Sequence, residues 1–308
     1  MKIIFFGTSA FAARVLDFLL EKSQEICAVV TRPDRPRGRS LQLSYSPVKQ
    51  HALGLPVHQP EKVSTPEFAE ILKSYQADLF IVVAFGEIIK KNILDIPRLG
   101  CVNIHASLLP KYRGAAPIQR CLMDGERETG ITIIDMVLQM DAGAMLRVAK
   151  TPISEEMTFG ELEEKLCELA CETILQTIQD FQWGCVTRTP QDPSQATLAP
   201  KITPEDEEIR WDRSARELHN QIRALAPFPG AWVSLTIGTD KKRLKIKRSA
   251  VVQGLSGAPG EILKFGKEGW IVACGQEALA LLEVQLEGKR LMKSEEFVKG
   301  YVRTNLKF

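Results

Sequence analysis

The chain has 308 residues, 44% hydrophobic and 25% charged, with a formal net charge of +2. These values sit near globular averages and exclude disordered, collagenous and coiled-coil architectures; at roughly 150 residues per domain the length suggests two domains. No apolar run approaches the roughly 18 residues that span a bilayer, so no membrane partner is expected. Charge is unevenly spread: residues 1–205 carry 22 Lys+Arg against 25 Asp+Glu, and residues 206–308 carry 18 against 13. A basic C-terminal part predicts an anionic partner. The seven cysteines (27, 101, 121, 167, 171, 185 and 274) are odd in number and scattered, with no Cys-x-x-Cys and no His at metal-ligand spacing. They read as thiols of a cytoplasmic protein without a metal.

Residues 2–6 are a short apolar run ending in Gly7-Thr8-Ser9, after which Phe11, Val15, Leu16, Phe18 and Leu19 follow at helical spacing. Arg14 and Asp17 interrupt that stretch, so it reads as strand, turn and helix rather than a signal peptide. A dinucleotide fingerprint needs three spaced glycines and an acidic end to the second strand. Here there is one glycine, and the second strand ends Val30-Thr31-Arg32. The turn is instead a strand-to-helix turn capped by a hydroxyl.

Further strands are predicted over 26–31, 79–84, 101–105 and 131–136, and helices over 65–75 and 158–181, with Thr158 and Glu161 at capping-box spacing. Continuous apolar strands alternating with helices predict an α/β domain over residues 1–189, a Rossmann-like, mostly parallel sheet covered on both faces. A Pro/Ser/Gln-rich linker follows over 190–205. Beyond it, a helix over 214–224 and strands over 231–237, 244–249, 269–273 and 279–284 predict a small OB-like β-barrel over 206–308. Trp183 and Trp211 are expected in core or interface packing.

The segment Cys101-Val102-Asn103-Ile104-His105 ends in polar residues where a buried strand would ordinarily stay apolar. Alternation puts Cys101, Asn103 and His105 on one face. The carboxyl ends of strands are where open α/β sheets bind ligands. Cys101 and His105 are roughly 13 Å apart along an extended chain, too far for a nucleophile–base pair, whereas Asn103 and His105 at roughly 6.6 Å could grip one small group. The pair reads either as a ligand grip or as a hydrogen-bonded structural pair. Asp141, in the turn Gln139-Met140-Asp141-Ala142-Gly143, is either turn chemistry or a carboxylate partner for the histidine. An Asn, a His and an Asp without an activated Ser or Cys point to direct transfer between two bound substrates.

Two basic stretches stand out: Arg32, Arg35, Arg37 and Arg39 in a long loop over 31–49, and six basic residues in eight over 241–248. In a strand, Arg243, Lys245 and Lys247 would share one face while Leu244 and Ile246 turn inward. The loop is either solvated or a grip on an RNA end, and the strand either a solvated edge or a track for an RNA backbone.

The set Asn103-Ile104-His105-x-Ser107-Leu108-Leu109-Pro110-x-Tyr112-Arg113-Gly114 with Asp141-x-Gly143 resembles the 10-formyltetrahydrofolate-dependent formyltransferases. The run Arg113-Gly114-Ala115-Ala116-Pro117-Ile118-Gln119-Arg120 and the early Pro33-Asp34-Arg35-Pro36-x-Gly38-Arg39 resemble the members that act on methionyl-tRNA, with Ala144 standing where relatives often carry Asp. This resemblance covers nearly the whole chain. It implies transfer of the formyl group of 10-formyltetrahydrofolate to the α-amine of charged initiator tRNA. It also implies a catalytic set of Asn103, His105 and Asp141. The folate pocket would be made by Ser107, Leu108, Leu109 and Pro110 with Ala84, Phe85 and Gly86. Contacts to tRNA would come from Arg35, Arg37, Arg39, Arg243, Lys245 and Lys247. No stable protein partner is implied. A formyltransferase for a small amine and a non-catalytic RNA-binding module are the alternatives from the residues alone; the Asn/His/Asp set argues against the second, and the basic stretches against the first.

Overall fold

A computed structural model describes residues 1–37, 42–266, 269–301 and 306–308. The chain divides into two compact units: one of Met1–Gly114, Thr129–Thr151 and Glu163–Leu198, the other of Ala115–Glu128, Pro152–Leu162 and Ala199–Phe308.

In the first unit seven strands form one sheet in the order Met145–Pro152, Glu128–Asp135, Cys101–His105, Leu79–Val83, Ile3–Gly7, Ile26–Val30, Val57–His58. Ile3–Gly7 and Leu79–Val83 are buried along their full length, which is why they read as unbroken apolar runs: helices cover both faces of a parallel sheet. Pairing is parallel from Val57–His58 through to Cys101–His105, and Glu128–Asp135 then runs antiparallel to Cys101–His105. Ser9 caps the helix Ala10–Glu21 by accepting from the Ala12 amide at 3.2 Å. Thr65 caps Pro66–Ser74, and Thr158 and Glu161 exchange side-chain bonds with each other's amides at the start of Phe159–Trp183. Elements absent from the sequence reading are short or at an edge, among them Val57–His58, the helix Pro47–His51 and the strand Met145–Pro152.

The second unit is an antiparallel sheet in the order Ile262–Gly266, Gly269–Ala273, Ala278–Leu286, Asp240–Val252, Ala231–Ile237, Leu306–Lys307. Its two edges are drawn together by aromatic rings. Phe265 packs edge-on to Trp270, and Phe308, at the end of the last strand, stacks on Trp270 at 5.5 Å and meets Trp211 at 5.0 Å. This is a nearly closed barrel, capped by the helix Ser294–Tyr301, whose Phe297 stacks on Trp270 at 4.9 Å. Trp211 is in the core as expected, but Trp183, at the end of a long helix, is 74% exposed.

Two stretches that precede residue 189 group with the barrel, and buried polar side chains help tie them to it. Arg223, buried on the helix Ala215–Ala224, donates to the carbonyls of Leu122, Ser154 and Met157 at 3.2–3.5 Å. His219 Nε2 lies 3.0 Å from the Glu155 carbonyl, and Arg120 forks onto both Asp206 oxygens at 2.7 and 2.8 Å. A buried guanidinium must find acceptors, and composition alone carries no mark of where they lie.

Candidate active site

Asn103 and His105 sit at the carboxyl end of Cys101–His105, paired across the sheet with Ile134 and Thr132. Alternation puts both side chains on one face, and both reach Asp141. Asn103 Nδ2 donates to Asp141 Oδ1 at 3.3 Å, while His105 Nδ1 lies 3.6 Å from Oδ2. That second oxygen also accepts from the Gly114 amide at 2.9 Å. His105 is buried, and its Nε2 lies 2.8 Å from the Tyr112 carbonyl. A carbonyl only accepts, so Nε2 carries a proton. Nδ1, whose partner among the described residues is the Asp141 carboxylate, is the nitrogen left for chemistry.

Six non-glycine residues among those described adopt left-handed backbone, and three cluster here: Ala84 (φ +42°), Tyr112 (φ +63°) and Asp141 (φ +50°). Such conformations cost of order 1–3 kcal/mol each, persist only where the surroundings impose them, and collect at functional sites. Gly143 is equally constrained, because a Cβ there would meet the Asp135 carbonyl oxygen at 1.7 Å.

The loop Ser107-Leu108-Leu109-Pro110 contains a cis Leu109–Pro110 bond and is tied down by a residue the sequence reading passed over. The buried Thr132 hydroxyl donates to the Ser107 carbonyl at 2.7 Å and accepts from the Leu109 amide at 3.2 Å. Ser107 Oγ in turn donates to the Lys111 carbonyl at 2.7 Å. Ala84, Phe85 and Gly86 follow the adjacent parallel strand, with the Phe85 carbonyl held by Thr8 Oγ1 at 2.9 Å. Two braced loops bearing Leu109 and Phe85 thus leave neighbouring strand ends, and an amide, an imidazole and a carboxylate converge beside them. This donor set fits a flat apolar molecule presenting a carbonyl. Cys101 stays out of the cluster: its thiol faces the Leu94 carbonyl at 3.5 Å, and burial pushes its pKa far above the usual range.

The chain-long pattern of that set has clear counterparts. The sequence model of the formyl transferase family matches residues 1–178, and that of the formyl transferase C-terminal domain matches 201–302. The methionyl-tRNA formyltransferase of Protochlamydia amoebophila strain UWE25 is 50% identical over 310 residues, covering 100% of this chain and 98% of that protein. That of Chlamydia abortus is 46% identical over 312 residues, covering 100% and 97%. This chain belongs to the methionyl-tRNA formyltransferase family. Among solved structures, a sugar 3N-formyl transferase, WlaRD, crystallised with dTDP and 5-N-formyl-THF, has a TM-score of 0.68 at 20% identity and covers 94% of this chain and 99% of its own. HypX from Aquifex aeolicus in complex with tetrahydrofolic acid has a TM-score of 0.66 at 19% identity, covering 98% and 48%. At such identities the likeness is one of fold.

The basic residues of this formyltransferase are distributed among several tasks. Arg32 pairs with Glu87, Lys49 with Asp34, and the exposed Arg35 with Glu61 at 2.6 Å. The loop's chain forms a hairpin of Arg35–Arg37 with Gln42–Ser44; Arg39 and the side chain of Arg37 lie outside the described residues. In the barrel Leu244 and Ile246 are buried, as alternation requires. Arg243 lies 4.0 Å over the Trp232 ring, and Lys245 and Lys247 donate to the carbonyls of Pro229 and Pro227 at 2.7 and 2.6 Å. Burial, then Lys245, brings the Lys247 pKa down to about 8. Among the described residues no cluster of His, Cys, Asp or Glu is arranged to hold a metal ion, and no helix is long and apolar enough to cross a membrane.

Replacing Thr132 by Val keeps its shape and leaves a buried amide and a buried carbonyl short of a partner, a loss of about 1–3 kcal/mol that denaturant unfolding against wild type will register. Thiol chemistry should discriminate as sharply. Iodoacetamide at neutral pH should label the exposed Cys185 and leave Cys101 untouched, as read by peptide mass spectrometry; rapid labelling of Cys101 in the folded protein would contradict the burial described.

Proposed function

We propose that Asn103, His105 and Asp141 transfer the formyl group of 10-formyltetrahydrofolate directly to the α-amine of methionyl-tRNA, preparing the initiator for translation. The observation that carries this reading is the convergence of an amide, an imidazole and a carboxylate on one strand end, in a chain matched along its full length by methionyl-tRNA formyltransferases. The folate co-substrate supplies an activated formyl group. An asparagine amide has two N–H donors; Asp141 accepts one, and the other is directed to the formyl oxygen. As the amine attacks the formyl carbon, negative charge develops on that oxygen, and His105 stabilises it from Nδ1–H. The bond from the formyl carbon to the folate nitrogen breaks with its electron pair leaving on tetrahydrofolate, and that nitrogen takes up the proton that the attacking amine gives to Asp141, which returns the carboxylate to its charged form. Asp141 balances the imidazolium charge and accepts the proton shed by the amine. No enzyme nucleophile takes part: Cys101, the thiol on the same strand, is buried and held in its protonated form.

Ser107, Leu108, Leu109 and Pro110, with Ala84, Phe85 and Gly86, form the folate pocket, because these braced loops border the reactive cluster. Arg35, Arg37 and Arg39 guide the acceptor end, while Arg243, Lys245 and Lys247 contact the tRNA backbone. Charged tRNA and reduced folate as substrates, with seven free thiols, fit work in the cytoplasm.

Asn103→Ala, His105→Ala and Asp141→Ala should each lower formylation of charged initiator tRNA about 10²–10³-fold and leave folate affinity within a few-fold. Steady-state assays with folate-binding titrations check this, and wild-type turnover in any variant removes that residue from the mechanism. Efficient formylation of small amines instead of charged tRNA would overturn the substrate assignment. Lys247 gives a pH signature. It is charged below about 8 and neutral above, so tRNA affinity should fall between pH 7 and 9. Lys247→Arg, which stays charged throughout, should lose that fall; an identical pH profile in both proteins would remove Lys247 from the tRNA contact.

A further inference from the structure

The stretch that composition marks as a linker contains a side chain built into the site. Gln191 is buried, and its amide uses every hydrogen-bonding position it has. Nε2 donates to the carbonyls of Asp141 and Gly143, both at 2.8 Å, and Oε1 accepts from Nε and Nη2 of Arg113 at 3.1 and 2.7 Å. A primary amide offers two donors and two lone pairs, and here all four are spent on the protein. From the other side the same turn is pressed against Glu128–Asp135: the Asp135 amide donates to the Ala144 carbonyl at 2.9 Å, and the Asp135 carbonyl excludes any Cβ at position 143.

Between these two grips lies Asp141, in left-handed backbone. That backbone aims the carboxylate, which meets Asn103 at 3.3 Å and His105 at 3.6 Å. Neither contact is short, so a shift of about 1 Å would break the first and separate the second, and a misplacement of that size can cost 10²-fold in rate. From this arrangement we infer that Gln191 is a positioning residue for formyl transfer. It touches no substrate and acts through Asp141, holding the strained turn so that the carboxylate stays in line with Asn103 and His105. Arg113, a motif residue, orients the Gln191 amide so that its N–H groups face the turn. The inference rests on the function proposed above.

Gln191→Glu tests it. The variant keeps the length and the acceptor for Arg113 but replaces both donors with lone pairs facing two carbonyls. In steady-state formylation of methionyl-tRNA, kcat should fall roughly 10- to 100-fold, while KM for tRNA and for folate stays within about twofold. Because Gln191 acts through Asp141, the double variant Asp141→Ala/Gln191→Glu should be no slower than Asp141→Ala alone. If Gln191→Glu does not fold, Arg113→Met/Gln191→Met, which removes the buried charge together with its acceptor, carries the same two expectations. Wild-type kcat, a raised KM with kcat unchanged, or losses that multiply in the double variant would overturn the positioning role and leave the function standing. A wild-type protein unable to formylate methionyl-tRNA would sink function and inference together.

Discussion

A parallel sheet buried on both faces gives its polar side chains little access to water, so each must find a partner inside the protein or destabilise the fold. Asn103 and His105 place an amide and an imidazole at the end of such a strand, and most of the site's geometry follows from meeting that demand. The Asp141 carboxylate serves both, and the Gly114 amide besides; the Tyr112 carbonyl takes the remaining histidine nitrogen. Asp141 and Tyr112 adopt left-handed backbone to do so. The strain is sustained by packing around it: Gly143 against the Asp135 backbone, Gln191 beneath the turn, and Thr132 under the loop that begins at Ser107. The polar cluster is thus a structural requirement and a chemical resource at once.

Counting charges along the chain overstates how many are available to a polyanion. Of the basic residues in the loop over 31–49, Arg32, Arg35 and Lys49 have carboxylate partners within the same unit. In the barrel, Lys245 and Lys247 brace the turn that contains Pro227 and Pro229, and Arg243 lies on Trp232. An ammonium group bonded to a carbonyl keeps its charge and its other two donors, so these contacts set where positive charge stands without cancelling it. Lys247 differs in degree, since burial brings its pKa to about 8 and makes its charge depend on conditions where an ordinary lysine's does not.

Much of this protein could be read directly from the order of its residues. Unbroken apolar runs of five residues mark strands buried on both faces, because no half-exposed strand could carry them; Ile3–Gly7 and Leu79–Val83 lie where the runs lie. Period-two alternation on the basic strand told which side chains turn inward, and Leu244 and Ile246 are buried. Alternation likewise told that Asn103 and His105 share a face, since the pleat is a local property of the chain. Helix starts at Ser9, Thr65, Thr158 and Ser214 were legible for the same reason, a cap being a contact between residues three positions apart.

What only the tertiary structure decided depends on contacts between distant positions. No local pattern distinguishes Thr132 from other strand threonines, or Gln191 from other polar residues in a Pro-rich stretch; each matters because of carbonyls supplied by segments 25 to 50 residues away. The reversal of Glu128–Asp135 was hidden because a strand buried on both faces reads the same in either direction. The membership of Ala115–Glu128 and Pro152–Leu162 in the barrel unit was hidden because it rests in part on Arg120, Arg223 and His219, polar residues whose partners lie 64 to 101 positions away. Periodicity reports which face of an element is apolar. It cannot report which distant carbonyl a buried amide or guanidinium will meet, because that is settled only when the elements pack.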